Sequence, residues 1–191
     1  MNKDWSNYKE KTYYPEDAIT YKKNILNKYF EYNNINANEM NVLEIGAGHG
    51  INTILLSKIF KQINATEPNE ELYNLLKNKV IEDKIENVTV NKLSAETLEE
   101  SLKYDMVICM NSFLFIKNKE YILDKFYNLI NQEGYLLIME PLKFLFFTDK
   151  KTLSNELMES SLINIVTSKK FKILHYGIVL KGLICYLLQK I

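Results

Sequence analysis

The chain has 191 residues, 47% hydrophobic and 25% charged, a composition that suits one globular unit with a core large enough to fold unaided. Its 24 basic residues balance 24 acidic ones, so no net charge draws it to nucleic acid or to an anionic membrane. All 24 basic residues are lysine, so the chain lacks the planar guanidinium fork that grips phosphate bidentately, which argues further against a nucleic-acid partner.

In chain order, residues 1–14 are polar and aromatic, with Trp5, Tyr8, Tyr13 and Tyr14. The N-terminus lacks the apolar region of a signal peptide, and no apolar run reaches membrane-spanning length. Pro15-Glu16-Asp17 reads as the first turn of a helix that runs to about Tyr32. Its inward face is expected to carry Ile19, the Lys23 stem, Leu26 and Phe30. A polar linker, Asn33 to Asn38, separates this segment (1–39) from a core expected to span 40–191 within a single domain.

The core opens with Val42-Leu43-Glu44-Ile45-Gly46-Ala47-Gly48-His49-Gly50. Val42, Leu43 and Ile45 read as a short strand covered on both faces. Gly46, Gly48 and Gly50 allow positive φ and let backbone N–H groups approach a ligand. From Ile51 the pattern becomes helical, so a helix N-terminus follows the glycine turn, a setting suited to polar or negative ligand groups.

A second strand, Gln62 to Thr66, ends in Glu67 and is stopped by Pro68-Asn69; a helix follows with Leu72, Leu75, Leu76 and Val80. Asn87 to Leu93 alternates as a third strand, before the loop Ser94-Ala95-Glu96 and a short polar helix. Tyr104 to Met110 is a fourth strand closed by Asn111-Ser112, with Phe113-Leu114-Phe115-Ile116 after it. A helix over about Asn118 to Ile130 leads to a fifth strand, Gly134 to Met139, ending in Glu140-Pro141. Phe144 to Phe147 is an apolar run suited either to the core or to an acceptor wall. A helix over 152–167 and two strands joined at Lys181-Gly182 complete the chain.

Strands alternating with helices predict a doubly wound α/β sheet, mostly parallel, with an antiparallel hairpin at one edge. Right-handed crossovers bring the strand ends to one edge of the sheet, where such folds bind ligands. Glu67, Ser94, Asn111 and Glu140 are therefore expected to converge beside the glycine turn.

Together these features resemble the class I S-adenosylmethionine-dependent methyltransferases over roughly residues 40–190. Glu44-Ile45-Gly46-Ala47-Gly48-His49-Gly50 matches that family's first motif, acid-x-Gly-x-Gly-x-Gly. The resemblance implies a seven-stranded Rossmann-like sheet, S-adenosyl-L-methionine as cofactor, and Glu67 bonding the ribose hydroxyls with Pro68 beside it. It further implies that Glu44, Gly46, Ala47, Gly48 and Gly50 hold the cofactor's other end. Ser94, Ala95 and Glu96 then lie along the adenine, and Met110, Asn111 and Ser112 beside the methionine portion and its methyl group. An N-terminal lid would bring Tyr13 and Tyr14 to the acceptor, with Phe115 as a further wall.

A nicotinamide-binding Rossmann domain also places an acid about 20 residues after its glycines, and Glu67 lies 21 residues after Gly46. Its fingerprint, however, is G-x-G-x-x-G, whereas Ile51 stands at that last position here, and a terminal hairpin replaces the second βαβ half.

Methyl transfer from a sulfonium is an in-line displacement in which the protein positions, desolvates and handles the acceptor's proton. No metal is implied. Cys109 and Cys185 have no metal-ligand spacing and read as buried thiols of a cytoplasmic protein. Neither His49, in the turn, nor His175, in the hairpin, is assigned as a base, and no catalytic residue is named. Asn111 is followed by Ser-Phe-Leu, so the Asn-Pro-Pro-Tyr motif of base- and amide-directed enzymes is absent. A small-molecule acceptor, methylated on O or N, is expected; a non-catalytic cofactor-binding subunit of the same fold is the alternative. Nothing in the sequence points to an oligomer.

Overall fold

The computed structural model of the chain describes residues 16–141, 168, 171–179 and 183–191. Trp5, Tyr8, Tyr13, Tyr14, the Phe144–Phe147 run, the helix expected over 152–167 and the Lys181-Gly182 connection lie outside the described residues.

Helix α1 (Glu16–Tyr32) leads to strand β1 (Asn41–Ile45), helix α2 (Ile51–Ser57), strand β2 (Gln62–Thr66), helix α3 (Glu70–Glu82) and strand β3 (Val88–Asn91). Strand β4 (Tyr104–Met110), helix α4 (Lys119–Leu129) and strands β5 (Ile130–Pro141), β6 (Phe171–Val179) and β7 (Leu183–Lys190) follow. The loop expected over Ser94-Ala95-Glu96 holds a 3₁₀ turn, Ala95–Thr97, and among the described residues no separate polar helix follows it before β4.

All seven strands form one sheet in the order β3-β2-β1-β4-β5-β7-β6. Strands β1 to β5 pair in parallel; β1 and β4 are mostly apolar runs buried on both faces, and β3, at the sheet edge, alternates. The order reverses between β1 and β4, which creates the switch point where doubly wound sheets open a crevice.

The hairpin is more specific than an antiparallel pair at the edge. Strand β7 inserts between β5 and β6 and runs antiparallel to both, so β6 shares the direction of β1 to β5. The side chains explain which strand is inside. Residues 184–188 of β7 are buried in succession, whereas β6 exposes Ile173 and Tyr176 as an edge strand does.

Period-two alternation divides the core between the sheet's two faces. Leu43, Ile45, Val107, Cys109, Leu136 and Ile138 face α4 through Ile122, Leu123 and Phe126. Val42, Met106, Ile108, Leu137 and Met139 share the other side with Leu26 and Phe30 of α1 and Leu55 and Leu56 of α2. Helix α1 is thus packed as part of the core. Its inward lysine is Lys22, 3% exposed, and Lys23 is exposed. Positions 22 and 23 both lie within one turn of Ile19 and Leu26, so helical spacing does not choose between them.

Strand β5 begins at Ile130, four residues before the expected start, directly from the end of α4. The register shifts between Tyr104 and Met106, and Glu133 takes φ of 63° in the irregular stretch.

Candidate functional site

The glycine turn leaves β1 at the switch point and is tied down from two sides. The Ala47 N–H donates to the Thr66 carbonyl at 2.9 Å, and the Ser112 hydroxyl donates to the Ile45 carbonyl at 2.6 Å. Gly46, Gly48 and Gly50 all take positive φ, at 66°, 60° and 95°. They differ in what a side chain would meet. A Cβ on Gly46 would lie 2.6 Å from Ser112 Cβ, and one on Gly50 would lie 2.5 Å from Leu76 Cδ1. At Gly48 no heavy atom lies within 4 Å. Two of the glycines therefore permit packing of the chain on itself, and the middle one faces open space.

Glu67 follows β2 and is 6% exposed. The Gly48 N–H donates to its Oε2 at 2.8 Å and the Asn69 N–H to its Oε1 at 2.9 Å. Burial raises its pKa while these two donors lower it. Each oxygen holds one backbone donor and keeps acceptor capacity for a hydroxyl. Asn69 also caps α3, its Oδ1 accepting from the Leu72 N–H at 3.0 Å.

A cavity of about 330 Å³ opens over this edge of the sheet. Gly46, Ala47, Gly48, Glu67 and Pro68 line one side, Ser94, Ala95 and Glu96 the second, and Met110 and Asn111 the third. Phe115 stands in its wall, half exposed. Glu44 and Gly50 do not line it. The alternation of β1 turns Glu44 under the sheet edge, and Gly50 packs on Leu76. Glu140 is likewise buried beneath the site, where its Oε1 accepts from the Phe113 N–H at 2.7 Å and steadies the loop after β4.

Asn111 takes φ of 63°, a conformation that asparagine tolerates better than most residues, and its N–H donates to the Met139 carbonyl at 2.9 Å. Ser112 lines the cavity beside Asn111, and sequence reasoning passed over Asn52, Leu72, Leu93 and Ile116, which also line it. Their only sequence signal is adjacency to a strand end or to the first turn of a helix. His175 bonds the Tyr29 hydroxyl at 2.8 Å and stacks on its ring, tying β6 to α1 outside the cavity. Among the described residues, no three His, Cys, Asp or Glu side chains group as metal ligands, and no helix is long and apolar enough to cross a membrane.

Beneath the cavity, burial pushes the Glu44 carboxyl up to about 7 and the Glu140 carboxyl up to about 8. Burial pushes Lys22 down to about 8 against the pull of both acids. Two carboxyls raised above their ordinary 4.5 make the folded chain bind more protons than the unfolded one over that interval. Their stabilising contribution is therefore complete below pH 4.5 and is lost as pH rises to about 7 for Glu44 and about 8 for Glu140. Lys22 acts in the opposite sense between about 8 and 10.5, where rising pH favours the folded state. The thermal midpoint is expected to fall from pH 5 to pH 8, and Glu140→Gln to flatten that fall. Calorimetry across this range is the check; an equally steep slope in the variant would contradict the assignment.

The match that decides the family covers residues 14–174, most of the chain, and is to the family described as "Methyltransferase domain". The chain belongs to the methyltransferases. Its fold is that of the class I S-adenosylmethionine-dependent enzymes. A SAM-dependent methyltransferase from Aquifex aeolicus superposes with a TM-score of 0.70 at 20% identity, over 88% of this chain and 89% of that one. Magnesium protoporphyrin IX methyltransferase from Synechocystis PCC 6803 superposes with a TM-score of 0.68 at 15% identity, over 90% of this methyltransferase and 79% of that chain. In sequence, 72 residues are 39% identical to ribosomal RNA small subunit methyltransferase A of Fusobacterium nucleatum subsp. nucleatum. That match spans 38% of this chain and 27% of the relative's length.

Proposed function

We propose that this methyltransferase carries a methyl group from S-adenosyl-L-methionine to a small-molecule acceptor, on oxygen or nitrogen. The carrying observation is Glu67, already oriented by two backbone donors at the rim of a cavity whose glycine turn has open space at Gly48. The carboxylate would accept from the two ribose hydroxyls. The backbone at Gly46, Ala47 and Gly48 would hold the amino-acid end, and Ser94, Ala95 and Glu96 would flank the adenine. Met110 and Asn111 would border the methionine portion, with Pro68 beside the ribose. The bound cofactor supplies an activated methyl on a sulfonium; the protein supplies alignment and a dry wall. Gly50 acts indirectly in this reading, by letting the turn pack on α3, and Glu44 through charge beneath the floor. Phe115, and Tyr13 and Tyr14 of an N-terminal lid within the same single domain, are the candidate acceptor contacts.

Zero net charge, the absence of arginine and the Asn-Ser-Phe-Leu sequence after β4 favour a small acceptor over RNA. The ribosomal RNA methyltransferase match gives RNA a specific second reading. A reducing cytoplasm is the compartment that suits the buried free thiols of Cys109 and Cys185. The test is S-adenosylhomocysteine release across a panel of hydroxylated and amine metabolites, with ribosomal RNA as a separate arm. Turnover with a metabolite supports the proposal, and turnover with RNA alone replaces it by the second reading. Tight cofactor binding with no turnover in any arm would favour a non-catalytic subunit.

A further inference from the structure

Three ionisable side chains from distant parts of the chain are buried beneath the cavity floor, where both acids act on the lysine through charge. We propose that Lys22, Glu44 and Glu140 form a proton-exchanging cluster that distinguishes the cationic cofactor from its neutral product. This inference rests on the reading that the cavity takes S-adenosylmethionine.

The geometry puts the cluster in electrical contact with the floor. Lys22, 3% exposed, donates from Nζ to Asn52 Oδ1 at 3.0 Å, and Asn52 lines the cavity. The Asn52 amide in turn reaches the carbonyl of Met110, another lining residue, at 3.4 Å. Glu44 is 1% exposed and Glu140 0%, and in each Oε2 is buried with no hydrogen-bond partner among the described residues. Both carboxyls act on Lys22 through charge.

The other charged or titratable groups facing the cluster come from each element packed around it. Lys119 of α4 faces Glu140, and Glu67 at the end of β2 faces Glu44. The Cys109 thiol of β4 lies near both acids and is held protonated by burial. His49, in the turn, is held below its ordinary value by burial. Among the described residues, three carboxyls thus stand against two ammonium groups. A surplus negative charge under a low-dielectric floor is unfavourable, so the buried carboxyls hold protons in the free protein at pH 6.5. Burial pushes both carboxyls the same way, Glu44 up to about 7 and Glu140 up to about 8.

S-adenosylmethionine carries one carboxylate, one ammonium and one sulfonium, a net charge of +1; the homocysteine product has lost the sulfonium and is neutral. The added cation offsets the surplus acid, and the cluster releases a proton to solvent as the cofactor binds. In transfer, an acceptor lone pair forms the new bond to carbon, and the sulfur keeps the electron pair of the broken S–CH₃ bond. The acceptor's proton passes to solvent. The cluster, no longer facing a cation, takes one proton up. Glu67 is not the source of the difference, because the ribose it would bind is present in both ligands.

The test is titration calorimetry at pH 6.5, where α-ammonium groups of ordinary pKa, about 7.7–8.0, stay protonated. Each ligand is titrated in three buffers of different ionisation enthalpy. The expected result is release of roughly half a proton or more with S-adenosylmethionine and close to none with S-adenosylhomocysteine. Glu140→Gln keeps the Oε1 acceptor for the Phe113 N–H, and Lys22→Met keeps most of the buried volume; each is expected to change the proton count. Equal counts for both ligands, or a difference that survives in both variants, would overturn the inference while leaving the cofactor reading intact. Absence of binding by either ligand would overturn both.

Discussion

Glu67→Ala is expected to weaken S-adenosylhomocysteine binding by about 100-fold to 1,000-fold with the fold retained. A hydrogen bond to a charged acceptor contributes about 1.5–3 kcal/mol, and in the proposed role the carboxylate takes two from a ribose. With each bond near the lower end of that range, since the site's solvent-exposed rim weakens it, their combined loss of about 3–4 kcal/mol corresponds to that factor at 1.4 kcal/mol per tenfold. The substitution also frees the N–H groups of Gly48 and Asn69, which the carboxylate now holds at 2.8 and 2.9 Å. Both groups border the cavity, so they can turn to water and the folded state is largely spared. Glu67→Gln keeps one carbonyl acceptor and should fall between the two. Titration calorimetry supplies the affinity and far-ultraviolet circular dichroism the fold. An alanine variant within threefold of the parent affinity would refute the ribose role.

The second large effect separates the glycines by what surrounds them. Gly48→Ala should lower the thermal midpoint by only a few degrees, since a left-handed non-glycine residue costs about 1–2 kcal/mol and nothing stands within 4 Å of the new methyl. The methyl would enter ligand space, and overpacking of about 1–3 kcal/mol translates to roughly tenfold to hundredfold weaker cofactor binding. Gly46→Ala carries the same backbone strain plus a Cβ 2.6 Å from Ser112 Cβ. It should therefore destabilise the chain by about 2–5 kcal/mol. Melting curves and binding isotherms measured on both variants give the contrast. Unchanged affinity in Gly48→Ala would remove the middle glycine from the site.

That contrast marks how far the sequence could be read. The spacing of Gly46, Gly48 and Gly50 announces a turn built for close approach, but spacing treats the three alike. Only the packed structure shows that Ser112 stands over the first and Leu76 under the third. Glu67 was legible because a strand pattern ended on it and the next residue was proline. Lys22 was not, because α1 offers positions 22 and 23 equally to the sheet, and the choice depends on Asn52, 30 residues away. Glu44 and Glu140 were visible as acids at strand ends. Their seclusion beneath the floor was not, since it follows from side-chain direction at the sheet edge and from the loop that Phe113 folds over Glu140.

The order of elements, the parallel sheet and the edge on which the site forms follow from the sequence alone, because hydrophobic periodicity and right-handed crossovers are local or chiral rules. Tertiary structure decided three further points: which hairpin strand went inside, which glycine faces open space in the cavity and which buried charges share a neighbourhood. Each turns on contacts between residues far apart in the chain, such as Ser112 on Ile45 or β7 between β5 and β6. No spacing rule encodes those contacts; they are set when the layers close and each side chain competes for the remaining space.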